Sequence, residues 1–262
     1  MSLILLDSYR ILNEQQSNRL FNMVFTASQI FGISAVLSVT LWMGSYEDGG
    51  FGWSDNPEKQ FHYHPTFMAM GMIFLYGEAI IVYRVFRNER KRFTKLLHLV
   101  THSIASVFAA IALKAVLDSH DYHRDPEGEV SPIPNFYSLH SWVGIFFLTA
   151  YVLQYLGGFL TFFFPGMSME VRKFFLPFHQ LFGVLILIGF TAGALMGISE
   201  RAAWKHTCWT KDKQMCGEQL LANFFGLCLV GYSSSIVFLV MNPRWKRQPL
   251  PEEEFLQPLE AD

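Results

Sequence analysis

The sequence predicts an all-α integral membrane protein built as a six-transmembrane-helix bundle. Three observations carry that reading. Of the 262 residues, 51% are hydrophobic and only 16% are charged, whereas an ordinary soluble domain has about a quarter of its residues charged. Six apolar runs are long enough to cross a ~30 Å hydrocarbon core as helix, at about 20 residues each. Lys and Arg gather in alternate links between those runs, the pattern that fixes orientation in a bilayer. With no water in the bilayer core to satisfy the backbone, spans of this length must bond within themselves as helices.

Residues 1–20, MSLILLDSYRILNEQQSNRL, lack a basic segment ahead of an apolar core and a small-residue cleavage site, so no removable signal peptide is expected. The first run, near 21–44, then serves as its own anchor. The second, near 65–86, opens with FHYHPTFMAMG; Pro65 suits a first helical position and puts the helix start at His64. The third lies near 99–117, with His102 close to its beginning and His98 one turn earlier on the same face. The fourth, near 138–164, opens with His140, and the fifth, near 174–198, carries His179 close to its start. The sixth lies near 220–241, so the membrane domain is 21–241. Residues 242–262 are expected to form a short disordered end, and no repeat or low-complexity tract divides the chain.

The basic residues orient the bundle. Thirteen of the 20 Lys and Arg residues fall in the N-terminal segment, the links between helices 2 and 3 and between helices 4 and 5, and the tail, which puts both termini in the cytosol. The other side carries the acidic loop DSHDYHRDPEGEVSP and a loop with Cys208 and Cys216. An oxidising compartment would allow those two to pair, although spacing alone does not fix their distance. Cys228 falls inside helix 6 as a small apolar residue.

Ionisable groups at membrane depth are costly and usually functional. Four histidines sit at helix beginnings, and in an up-and-down bundle this pairs His64 with His140 on one face and His102 with His179 on the other. His64 to His102 is 38 residues and His140 to His179 is 39, a matched offset that favours His102 over His98, which is left to support it or to meet substrate. A single helix-end histidine would read as an interfacial ring. Two facing imidazoles without acidic or thiol partners suit the axial positions of a haem iron better than a zinc site. Gly71, Gly77, Gly144, Gly157, Gly158, Gly183 and Gly189 would give a flat ring room or let helices pack closely. His62, His120, His123 and His206 are assigned to loops or approaches; the last three read as solvated.

The stretches HPTFMAMGMIFLYGEAIIVYRVFRNERKRFTKLLHLVTH, NFYSLHSWVGIFF, FFPG, LPFHQLFG and ALMGISE, with a closing NPRWKR, resemble the cytochrome b561 family of ascorbate-reducible transmembrane cytochromes over residues 20–248, most closely its chromaffin-granule branch. The resemblance implies a four-helix core with two b-type haems per chain, each held by two histidines, in a homodimer. It implies single-electron transfer from cytosolic ascorbate to monodehydroascorbate or a ferric chelate across the membrane, with no nucleic acid as a partner. It also implies that the second histidine of the LHxxxH stretch, His102, is the ligand. Arg84, Lys95 and Arg172 correspond to residues that meet the cytosolic haem or ascorbate; Asn135, Ser138 and Glu200 correspond to residues on the other face. Relatives with a second lysine four residues after the first have Leu99 here, which leaves His98 or Lys91 to substitute. A secretory or endolysosomal vesicle membrane, or the plasma membrane, follows from the branch alone.

Arg84, Lys95 and Arg172 offer charge partners to an anion, and they also satisfy the orientation rule. Two axial imidazoles leave iron no open position, so outer-sphere electron transfer is favoured over oxygen binding. Lys114 stands four residues before Asp118 and reads as a snorkelling ion pair, while Glu78 is expected to face the bundle interior with no partner that the sequence names. Tyr137, Trp142, Trp204 and Trp209 read as interfacial aromatics, the first two with a second use beside His140. A histidine-dependent divalent metal transporter and a multispan scaffold are the alternatives. A transporter should place carboxylates beside its histidines at depth, and Glu78 is the candidate available.

Overall fold

Asn13 begins the first helix, α1 (Glu14–Ser45), through a reciprocal pair of bonds. Its side chain accepts the Gln16 amide while the Gln16 side chain accepts the Asn13 amide, which satisfies two donors that a helix start leaves without partners. The computed structural model describes residues 12–46, 49–53, 56–205, 208 and 211–254. Arg10, His206 and Trp209 lie outside the described residues.

Five further helices are long and apolar enough to cross a membrane: α2 (Pro57–Val85), α3 (Lys91–Asp121), α4 (Leu139–Phe163), α5 (Met169–Lys205) and α6 (Gly217–Met241). They continue past most ends of the apolar runs because polar residues at helix ends remain helical in the headgroup region. The start of α2 differs from expectation. Asn56 caps it by accepting the Lys59 amide, and Pro57, not Pro65, takes the first turn. A turn at His62 follows, and then a π-helical stretch at Ala69–Leu75. A second π-helical stretch, Phe159–Phe163, ends α4, and Pro177 lies inside α5.

α1 packs on α6, α2 on α3, and α4 on α5. The α2–α3 contact is close: a Cβ at Gly71 would lie 2.8 Å from Phe108 Cβ, and Ala105, Ala109, Ala112 and Ala115 are all buried along α3. Val39, Trp42, Met72, Tyr76, Leu187, Leu229, Tyr232 and Ile236 form the core where α1, α2, α5 and α6 meet. The α2–α3 and α4–α5 hairpins are tied across by the Tyr76 hydroxyl, which donates to Gly183 O at 2.8 Å, and the Tyr151 hydroxyl, which donates to His102 O at 2.9 Å. A space between these hairpins remains for the site.

Residues 242–254 after α6 are structured, unlike the disordered end expected from the sequence. A 3-10 turn (Pro243–Trp245) and a short α7 (Pro251–Glu254) lie over the face that also holds the α2–α3 link. Trp245 is only 2% exposed, packs edge-on to Phe21, and donates its indole N–H to Ser17 Oγ at 3.1 Å. Arg247 donates to Glu89 O and to both Glu253 oxygens, and Glu253 Oε1 accepts the Lys91 amide at the start of α3. Burying an aromatic ring and satisfying a helix N-terminus hold this end in place.

Candidate functional site

Two pairs of imidazoles face each other across the gap between hairpins. His64 on α2 and His140 on α4 have ring centres 6.1 Å apart, and His98 on α3 and His179 on α5 have theirs 6.2 Å apart. The second pair differs from the expected one. His102, one turn further along α3, packs its ring against His98 at 4.6 Å, Tyr76 at 5.1 Å and Tyr151 at 5.8 Å. Matched residue counts mean matched depths only between helices of equal rise. α2 and α4 contain π-helical stretches of different length, so counting could not resolve a single helical turn.

Three of the four facing rings are aimed by backbone carbonyls of neighbouring helices. Nδ1 lies 3.2 Å from Ala112 O in His64, 2.7 Å from Ala79 O in His98 and 2.8 Å from Gly193 O in His140. A carbonyl only accepts, so in the neutral ring Nδ1 carries the hydrogen and Nε2 keeps the lone pair, the usual way a ligating histidine is oriented. His102 Nδ1, by contrast, is buried without a hydrogen-bond partner among the described residues.

These residues fit a haem. Two imidazoles bound on opposite sides of one metal ion, at ~2 Å a bond, have ring centres roughly 6 Å apart, which matches both pairs. Glycines give the rings room: a Cβ at Gly197 would lie 2.9 Å from His140 Cε1, and one at Gly158 would lie 2.9 Å from His179 Cε1. Among the described residues no three or more His, Cys, Asp or Glu side chains converge as a metal-ion site would need.

The His64–His140 pair opens into a cavity lined by Met72, Leu148, Phe190 and Ile198 below and by His120, Asn135, Ser138, Glu200 and Arg201 towards the aqueous end. Asn135 Oδ1 meets His120 Nδ1 at 2.8 Å, and Ser138 caps α4 by accepting the Ser141 amide. Asn135, Ser138 and Glu200 thus line one cavity. His120, read as solvated, joins them because α3 runs on to Asp121 and carries it inward. The extended 3.6-residue pattern of α3 was the available signal. Tyr137 also lines the cavity, whereas Trp142 turns outward and donates to Phe136 O. His62 is buried, with Nδ1 2.7 Å from Gly50 O.

At the His98–His179 end, Lys95 donates to Phe162 O at 2.8 Å, and Arg172 lies near enough to act on its charge. Arg172 Nε is buried without a hydrogen-bond partner in the described structure. Arg84 is not part of this group: its guanidinium donates to Val240 O, a carbonyl at the end of α6. Lys114 pairs with Asp118 at 2.8 Å as expected. Cys208 and Cys216 form a disulfide, and Cys228 is a buried free thiol.

Residues 63–205 match the family described as eukaryotic cytochrome b561. A Caenorhabditis elegans homologue of the transmembrane ascorbate-dependent reductase CYB561 is 55% identical over 99% of this chain and 97% of its own length. The human transmembrane ascorbate-dependent reductase CYB561 is 39% identical over 87% of this chain and 86% of its own. The Zea mays ascorbate-specific transmembrane electron transporter 1 is 35% identical over 85% of this chain and 90% of its own.

Proposed function

The chain belongs to the eukaryotic cytochrome b561 family, and from that premise we propose that it is a transmembrane ascorbate-dependent oxidoreductase. It moves single electrons from ascorbate on the basic, cytosolic face to monodehydroascorbate or a ferric chelate on the other. The observation that carries the reading is the pair of facing imidazoles near each face, at 6.1 and 6.2 Å. We assign His64 with His140, and His98 with His179, as the residues that hold two b-type haems; His98 replaces His102, the ligand expected from the residue spacing.

A haem held between each pair of histidines would supply one-electron chemistry. The chain does the rest. The Ala79, Ala112 and Gly193 carbonyls hold three of the rings in one tautomer. Met72, Leu148 and Phe190 keep water from the inner end of the His64–His140 cavity. Lys95 and Arg172 give the ascorbate anion opposite charge at the basic face. Asn135 and Arg201 carry N–H donors at the opposite mouth, where an oxidised ascorbate or a chelate carboxylate needs them. A homodimer in a vesicle or plasma membrane, with both termini cytosolic, belongs to the same proposal.

Purified protein from haem-supplied cells should show reduced low-spin b-type bands on addition of ascorbate. A colourless preparation, or bands that ascorbate does not raise, overturns the reading. Rapid mixing of the reduced protein with monodehydroascorbate and with ferric chelate separates the two acceptors.

A further inference from the structure

Glu78 is an ionisable residue within a membrane span, where such a group requires partners. It has two, both from outside the haem-binding hairpins. Its Oε1 accepts from Gln29 Nε2 of α1 at 2.9 Å and from the Tyr232 hydroxyl of α6 at 3.0 Å. The same hydroxyl lies 2.7 Å from Phe74 O, a carbonyl of the π-helical stretch. The chain leaves space for this junction. A Cβ at Gly32 would lie 2.9 Å from the Tyr232 ring, and one at Gly77 would meet the Tyr232 hydroxyl. In this way α1 and α6, which hold no facing histidine, both meet α2 at the level of Glu78.

That level is next to a ligand support. The residue after Glu78 is Ala79, whose carbonyl stands 2.7 Å from His98 Nδ1, and Tyr83, further along α2, has its ring centre 5.6 Å from that of His98. The other pair relies on Ala112 and Gly193 instead, on helices that this junction does not touch. We propose that Glu78 is a positioning residue for the basic-face site: by pinning α2 to α1 and α6, it fixes the Ala79 carbonyl that aims the His98 ring. The inference rests on the reading that His98 and His179 hold a haem.

The test compares the two haems within one protein. Full-length Glu78→Leu, which removes both acceptor oxygens, and Glu78→Gln, which keeps one at the same reach, are purified with haem. The midpoint potential and low-spin electron-paramagnetic-resonance signal of each haem are then measured, with each haem assigned by His98→Ala and His64→Ala. Glu78→Leu should shift the basic-face haem alone, and Glu78→Gln should restore most of the wild-type values. Unchanged signals in Glu78→Leu, or equal shifts in both haems, overturn the proposal. If Glu78→Leu does not fold, Gln29→Leu removes one bond to Glu78 and Tyr232→Phe removes the hydroxyl that meets both Glu78 and Phe74 O, and either must move the basic-face haem alone for the proposal to stand. Failure of the underlying reading looks different: His98→Ala would then keep both haems in an otherwise unaltered protein.

Discussion

His98 Nδ1 lies 2.7 Å from the carbonyl oxygen of Ala79, while His102 Nδ1, one turn away on the same helix, is buried with no hydrogen-bond partner among the described residues. One ring is aimed by a carbonyl, and the other packs against His98, Tyr76 and Tyr151. His98→Ala should therefore lose about one of two haems and slow reduction by ascorbate. His102→Leu should keep both and alter stability by no more than about 1 kcal/mol, since no hydrogen bond is lost from the buried ring. Haem-to-protein ratio and thermal midpoint check this, and the reverse pattern restores His102 as the ligand.

Adjacent glycines on α4 offer a second comparison. A Cβ at Gly158 would lie 2.9 Å from His179 Cε1, whereas at Gly157 nothing lies within 4 Å. Gly158→Ala should lower occupancy of the basic-face haem, and Gly157→Ala should leave it unchanged. Haem content with the spectrum of the remaining haem decides the matter.

The disulfide reports on orientation. Cys208 and Cys216 are bonded in the link between α5 and α6, which the charge pattern puts opposite the cytosol. In sealed vesicles of known sidedness, a membrane-impermeant maleimide should label them only after reduction and only from the non-cytosolic side. Labelling from the cytosolic side inverts the proposed topology.

The tail clasp should loosen in acid. Burial pushes the Glu253 carboxyl up, but hydrogen bonds from Arg247 and from the Lys91 and Leu250 amides outweigh it and hold it down to about 2. A lowered folded value means that the stabilisation is whole above the ordinary carboxyl value of ~4.3 and is lost as pH falls from there towards 2. A dye on Leu250→Cys should become more mobile across that window. Glu253→Gln should be mobile at neutral pH already, with little further change in acid.

Much of this was legible in the residues because lipid imposes simple rules. Length and apolarity announced six spans, and His64, His140 and His179 stood out as imidazoles in otherwise apolar surroundings. What escaped was anything set by local helix geometry. The choice between His98 and His102 depends on which ring faces His179, and a separation of four residues leaves both on the same face of α3. Arg84 looks like part of a cationic mouth, yet it donates to the Val240 carbonyl near the end of α6, since a cation obeying the orientation rule looks the same in either role. The tail looked too polar to order, and one residue, Trp245, settles it against Phe21 and Ser17. Glu78 could be seen to need partners, but Gln29 and Tyr232 lie 49 and 154 residues away along the chain.

The supports of His64, His98 and His140 are main-chain carbonyls of Ala112, Ala79 and Gly193. Every residue type carries such a group, so the tuning of these rings is indifferent to the identity of the side chain that supplies the oxygen. Evolutionary drift at those three positions is limited by volume, not by chemistry. An engineer who wants to retune the rings must move a helix rather than swap an acceptor.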